Sequence, residues 1–179
     1  LRVWSYVSAN EGFLKRIVDY MSFAITSFFA GLFVSTDVII ATSPQFFTTF
    51  SAYLLSKIKK VPWVFELRDL WPESIKTVGA MKNSFFLRVV EKIELFLYKD
   101  ASLVIALTEA FRNNLILRGI FPNKIRVVTN GSNLEFFSPR EKSTALLQKL
   151  GLEKKFIIGY MGTHGMAHGL EFIIRGLSK

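Results

Sequence analysis

Glu66 and Asp69 flank Arg68 in the stretch FELRDLWPES (65–74), which begins as an apolar strand and ends around Trp71, a proline and Glu73. Carboxylates at a strand tip can hydrogen-bond sugar hydroxyls or take a proton. An arginine beside them can hold a phosphate or pair with either carboxylate. A tryptophan face suits a sugar ring or an apolar tail. Open α/β sheets place their ligands outside the carboxyl ends of the strands, which makes this segment the first candidate site. The competing reading is an arginine–carboxylate pair that fixes a loop, with Trp71 as a lid on the core.

A second segment, GYMGTHGMAHG (159–169), runs from an apolar stretch into four glycines and then a helical pattern. Glycines let the backbone approach a ligand closely, and the N–H groups of a helix start attract phosphate. Gly162, Thr163, His164 and Gly165 are the candidate contacts. The spacing is not that of the dinucleotide fingerprint, and a plain strand-to-helix turn is the alternative. His164 and His168 are four apart, but the glycines between them oppose a regular helix, so no metal site is expected. Asn130 and Gly131 form a tight turn after another strand, with or without a ligand. Thr108 reads as a helix N-cap and Glu109 as its first-turn acid.

These segments need elements to position them. Apolar runs at 37–41, 62–67, 102–107, 124–129 and 156–161 read as strands. Between them, 3.6-residue periodicity predicts helices over 44–59, 84–98, 108–118, 144–150 and from 169 onward. Ser43 is an expected N-cap, with Pro44 at the first helical position. The 84–98 helix is expected to bury Phe85, Val89, Ile93 and Phe96 or Leu97, and to turn Arg88, Glu91, Lys92 and Glu94 outward. Alternating β and α elements imply an α/β fold, a Rossmann-like parallel sheet with helices on both faces. A polar, aperiodic stretch at 138–142 reads as a linker. It divides a first domain, 1–138, from the opening β/α elements of a second, 139–179.

The chain has 179 residues, half of them hydrophobic, so a core can form. It has no cysteine, which excludes disulfides and thiolate metal sites. A net charge of +9 favours anionic partners. The basic residues do not interleave with aromatics as in RNA-binding surfaces, so nucleic acid is not an expected partner. The run at 17–34 approaches the length of a membrane span. Lys15, Asp19, Ser22 and Thr26 recur along one side, with Leu14, Ile17, Met21, Ile25, Phe28 and Leu32 on the other, so it reads as an amphipathic helix half docked on a sheet, with a helix that also touches membrane and a true span as the alternatives. The chain starts inside a strand-like run and stops inside a helical pattern, which reads as a fragment.

Taken together and in order, FELRDLWPES, VIALTEAFRNNLILRGIFPNKIRVVTNGSNLEFFSP and IIGYMGTHGMAHGLEFII resemble the retaining glycosyltransferases of family 4. The likeness lies nearest the bacterial subgroup that builds O-antigen, capsule and colanic-acid-type polysaccharides. It implies a GT-B fold, two Rossmann-like domains with the acceptor on the first and a nucleotide-sugar donor mostly on the second. It implies no bound metal and no cofactor; helix N-termini and basic side chains stabilise the leaving diphosphate. Asp69 matches the family's acidic position, while Arg68 stands where many relatives carry a histidine. Glu66 and Asp69 are then the candidate catalytic carboxylates. Arg68, Trp71 and Glu73 fall on the acceptor side, and Gly162, Thr163, His164, Gly165, Asn130 and Gly131 on the nucleotide-sugar side. The resemblance further implies a polyprenyl-linked or glycan acceptor, and a cytoplasmic protein at the inner face of the plasma membrane, where an anionic surface would suit the charge. The family's first strand and its downstream Glu-x7-Glu motif are missing, so 1–179 alone is expected to lack transferase activity. A UDP-sugar 2-epimerase of the same architecture and a non-catalytic membrane-associated subunit are the alternatives.

Overall fold

The computed structural model describes residues 1–7, 13–43, 46–70, 84–162, 164 and 168–177. They form two compact units, Leu1–Asn130 and Gly131–Lys179.

In the first unit, helix α1 (Phe13–Leu32) precedes a β/α alternation: β1 (Ile39–Thr42), α2 (Phe46–Lys59), β2 (Trp63–Leu67), α3 (Ser84–Asp100), β3 (Leu103–Ala106), α4 (Glu109–Leu117), a 3-10 turn at Pro122–Lys124 and β4 (Ile125–Val127). The four strands are parallel and lie in sequence order, β1-β2-β3-β4. The α/β class read from the sequence is the one observed.

Residues paired side by side in a parallel ladder point to the same face of the sheet. Ala41, Phe65, Val104 and Ile125 form one such row. All four are buried, together with Trp63, Leu67 and Ala106 on the same face. Each of the larger side chains here contributes about 1.5–3 kcal/mol by leaving water. Strands in sequential order joined by right-handed crossovers receive their helices on one face. Ala52 of α2, Leu97 and Tyr98 of α3 and Leu115 of α4 complete that core. The opposite face carries the row Thr42, Glu66, Ile105, Arg126, none of which is fully buried.

The helix ends follow local chemistry. The Thr108 side chain accepts from the N–H of Phe111 and starts α4, as expected. Gly119, at φ 84, follows its last turn in the left-handed conformation that glycine adopts without strain. At the amino end of the sheet, Asp100 accepts from Trp63 Nε1 at 2.9 Å and from Lys57 Nζ at 2.6 Å, tying α3 to β2 and α2. Burial works against the Asp100 charge, yet these partners outweigh it and hold its carboxyl below the ordinary value.

Three expectations are corrected. Helix α1 was expected to dock on a sheet; it packs along α2. Ser51 Oγ of α2 donates to the Ala24 carbonyl at 2.7 Å, and Leu55 lies where a Cβ on Gly31 would stand. Its polar stripe holds the opening segment, for Tyr6 donates its N–H to Ser22 Oγ and Thr26 Oγ1 donates to the Trp4 carbonyl. Among the described residues no helix is long and apolar enough to cross a membrane.

Helix α3 is rotated from the expected face. Phe85 and Phe96 are exposed, whereas Leu87, Val90, Glu94, Leu97 and Tyr98 are buried. Glu94 goes inside because partners meet it there: Tyr98 Oη and Arg118 Nη2 each donate to it at 2.6 Å.

In the second unit, Ser143 caps α5 (Thr144–Lys149) through the N–H of Leu146, and α6 (Leu170–Leu177) follows the glycine-rich loop. The expected strand at 156–161 is not formed, and Phe156 and Met161 are almost wholly exposed. An apolar segment becomes a strand only when a neighbour takes its N–H and C=O groups, and no such neighbour exists among the described residues of this unit.

Candidate functional site

The carboxyl ends of β1 and β2 bring hydroxyls and charges together. Thr42 and Glu66 are ladder partners at the last paired position of β1. Thr42 Oγ1 donates to Glu66 Oε2 at 2.5 Å. On its other side Glu66 Oε1 accepts from Arg68 Nη2 at 3.2 Å and Nε at 3.3 Å. The pairing continues past the strand ends, because Ser43 donates its N–H to the Glu66 carbonyl at 2.9 Å and its Oγ accepts from the N–H of Arg68 at 3.0 Å. The hydroxyls of Thr42 and Ser43 thus fix the side chain of Glu66 and the backbone of Arg68.

The Thr42 hydroxyl, more than any other cause, holds the Glu66 carboxyl below the usual carboxylate range; burial opposes it, and the Arg68 guanidinium adds to the lowering. Glu66 is therefore an ionised hydrogen-bond acceptor at neutral pH, a state suited to receiving hydroxyl groups. Arg68 remains exposed, and Asp69, next along the chain, is half-buried and open to solvent. Its charge reaches inward as well, as one of the smaller causes, after burial and Glu94, that push the Tyr98 phenol well above its ordinary value.

The structure thus brings Glu66, Arg68 and Asp69 to one strand end. Trp71 and Glu73 lie outside the described residues. Asn130 is exposed at the end of the first unit. Gly131, Gly162 and His164 belong to the second unit; Thr163 and Gly165 lie outside the described residues. At Gly162 a Cβ would come within 3.2 Å of Tyr160 Oη, so the tyrosine folds over the loop where a side chain would stand. The Tyr160 ring also lies 5.8 Å from that of His164 and 6.0 Å from that of His168. Among the described residues no three His, Asp or Glu side chains gather closely enough to hold a metal ion.

Thr42 was missed as a site residue. Its signal was present in the sequence, a Thr-Ser pair ending one strand beside a Glu near the end of the next, but it needs the strand register to be read. An apolar groove of about 640 Å³ lies elsewhere, between residues 1–3, α1 and β1, and none of Thr42, Glu66, Arg68 or Asp69 lines it. The charged strand end has the chemistry, and the groove has only volume.

Residues 24–131 match the glycosyl transferase 4-like domain, and this span contains the whole sheet and the charged strand end. The chain belongs to that family. Solved structures agree with the fold of this glycosyl transferase 4-like chain. It is similar to Anabaena Alr3699/HepE in complex with UDP-glucose, at 21% identity and a TM-score of 0.64 over 93% of this chain and 42% of that one. The likeness to the same protein in complex with UDP and glucose is 20% identity and a TM-score of 0.66, covering 93% and 41%. With UDP it is 19% identity and a TM-score of 0.63, covering 92% and 41%. The chain spans about two fifths of the length of these structures. No curated protein matches it at a significant level.

Proposed function

We propose that the chain is the acceptor-side part, with the beginning of the donor-side part, of a retaining glycosyltransferase that moves a sugar from a nucleoside diphosphate to a lipid-linked glycan in surface-polysaccharide synthesis. The observation that carries this reading is the charged strand end, with Glu66 kept ionised between Thr42 and Arg68, inside a glycosyl transferase 4-like domain. The likeness to a protein crystallised with UDP-glucose supports a nucleotide-sugar donor.

In the transfer, the bond from the sugar C1 to the diphosphate oxygen breaks. A bond from C1 to an acceptor oxygen forms, and the acceptor hydroxyl gives up its proton. A carboxylate with a depressed pKa is a weak base but a strong hydrogen-bond acceptor. Glu66 accordingly orients acceptor hydroxyls, and Asp69 is the carboxylate placed to take the proton. Arg68, with Trp71 and Glu73, faces the acceptor. Asn130, Gly131 and the loop from Gly162 through Thr163 and His164 to Gly165 contact the nucleotide-sugar, where backbone N–H groups meet the departing diphosphate. Residues 1–138 and 139–179 are the two domain portions in this reading, and a lipid-linked acceptor puts the protein at the inner membrane face.

The test uses the product of the complete reading frame, supplied with UDP-sugars and a polyprenyl-diphosphate-linked acceptor. The reading expects the acceptor to gain the mass of one sugar, with the anomeric configuration kept. Donor inversion at C2 in the absence of acceptor, or no reaction with any donor, contradicts it.

A further inference from the structure

The amino end of the sheet, opposite the charged strand end, holds a pocket of about 320 Å³. Ser56, Lys57 and Lys60 at the end of α2, Trp63 at the start of β2, and Asp100 and Ser102 ahead of β3 line it. The acid in this wall is already matched. Asp100 accepts from Lys57 Nζ and Trp63 Nε1, and it feels the charge of Lys124 as well. Lys124 in turn donates to the Lys99 carbonyl, which holds it beside this end of the sheet. The Lys60 ammonium and the Ser102 hydroxyl, by contrast, have no partner among the described residues.

Lys60 holds its place against its own backbone preference. It follows the last residue of α2 at φ 57, in the left-handed region. The turn around it is closed. Val61 donates its N–H to the Ser56 carbonyl at 3.2 Å, and Ser56 Oγ donates to the Val61 carbonyl at 2.7 Å. Helices commonly end on one such left-handed residue, and glycine is the residue that takes it without strain. Gly119 does so after α4 and Gly151 after α5. After α2 the chain keeps a lysine instead. A cation near a helix end can serve the carbonyls there, but Lys57 and Lys59 already occupy the last turn. Lys59 Nζ meets the carbonyls of Leu32 and Val34. Backbone strain beside a pocket, with no structural task left for the side chain, points to a use for that side chain.

We propose that this pocket binds a phosphate group, free or as a small soluble ester, with Lys60 and Ser102 as its donors. An ammonium brings a full charge and three donors, and a hydroxyl brings one more. Lys57, Lys60 and Lys124 outnumber Asp100, so the local field favours an anion. Val61 and Pro62 complete the wall and offer apolar surface to the carbon of an ester. The site is separate from the strand end at Glu66, and the inference does not need the transfer reading.

The test is titration of the 1–179 chain with inorganic phosphate and with glycerol 3-phosphate, each against chloride at matched ionic strength. The indole N–H of Trp63, which bonds Asp100 in the pocket wall, is followed by NMR. Its resonance is expected to shift and saturate with phosphate and to stay near its starting place with chloride. Tighter binding of glycerol 3-phosphate supports an ester as the ligand, and equal binding supports free phosphate. Lys60→Gly removes the ammonium and relieves the turn. It is expected to weaken binding about tenfold or more and to melt above the parent. Lys60→Arg keeps the charge and is expected to keep binding. A shift in the parent no larger with phosphate than with chloride, or undiminished phosphate binding by Lys60→Gly, overturns the proposal.

Discussion

Thr42 reaches across the β1–β2 ladder and donates a hydrogen bond from its hydroxyl to the Glu66 carboxylate at 2.5 Å. This bond is the first cause of the low pKa of the Glu66 carboxyl, ahead of its contact with Arg68. Thr42→Val keeps the shape and removes the donor. The Glu66 pKa is then expected to rise toward the ordinary carboxylate value, as followed by carbon NMR titration of the side chain. The sign for stability follows: a depressed carboxylate pKa stabilises the fold above the unfolded value and loses that contribution as pH falls through the folded one. The variant is therefore expected to show a smaller loss of stability on acidification than the parent.

Glu94 and Arg118 make the opposite kind of pair. Burial pushes the Glu94 carboxyl up, by more than Tyr98 and Arg118 pull it down. Burial also works against the Arg118 charge, but Glu94, Tyr98 and Glu91 outweigh it, so the guanidinium stays charged. Arg118→Met leaves a buried carboxylate without its counter-charge and is expected to cost about 3–5 kcal/mol in urea unfolding. Adding Glu94→Leu to it is expected to recover much of that loss, because no unpaired charge is left inside.

The same pair sets a pH signature. A carboxyl whose folded pKa is raised contributes stability below its unfolded pKa and loses it as pH rises through the folded one. Glu94→Gln leaves the buried Arg118 charge with Glu91 alone and is expected to be less stable than the parent at low pH. The difference is expected to shift in the variant's favour as pH rises from the acid range toward neutral, measured as urea midpoints at a series of pH values.

Thr108→Ala removes the side-chain acceptor of the Phe111 N–H at the start of α4. It is expected to cost about 1 kcal/mol, read as a lower urea midpoint with an unchanged slope.

The four strands of the first unit and the α4 cap were legible because their signals are local: β-branched runs between turn residues, a threonine before a helical period, a glycine after it. The run at 156–161 carries the same local signal but forms no strand, since pairing needs a neighbour that the run itself does not encode. The orientation of α3 was not, because burying Glu94 depends on Arg118, 24 residues further on. Periodicity scores a glutamate as outward, and only a distant guanidinium reverses that. The packing of α1 on α2 rests in the same way on the fit of Leu55 at Gly31 and a hydroxyl from Ser51. At the candidate site, the sequence marked Glu66, Arg68 and Asp69 by their charge at a strand end. It could not show Thr42, whose part depends on the register between two strands.

The measurement closest to the centre of this account is the transfer rate of the complete gene product carrying Asp69→Asn, beside Glu66→Ala, with donor binding and melting temperature followed in the same preparations. The account predicts that both keep the fold and bind the nucleotide-sugar. Asp69→Asn loses about a hundredfold or more in kcat, and Glu66→Ala mainly raises KM for the acceptor. Parental rates in both variants, with the acceptor KM unchanged, would place the chemistry away from the ends of β1 and β2 and contradict the account.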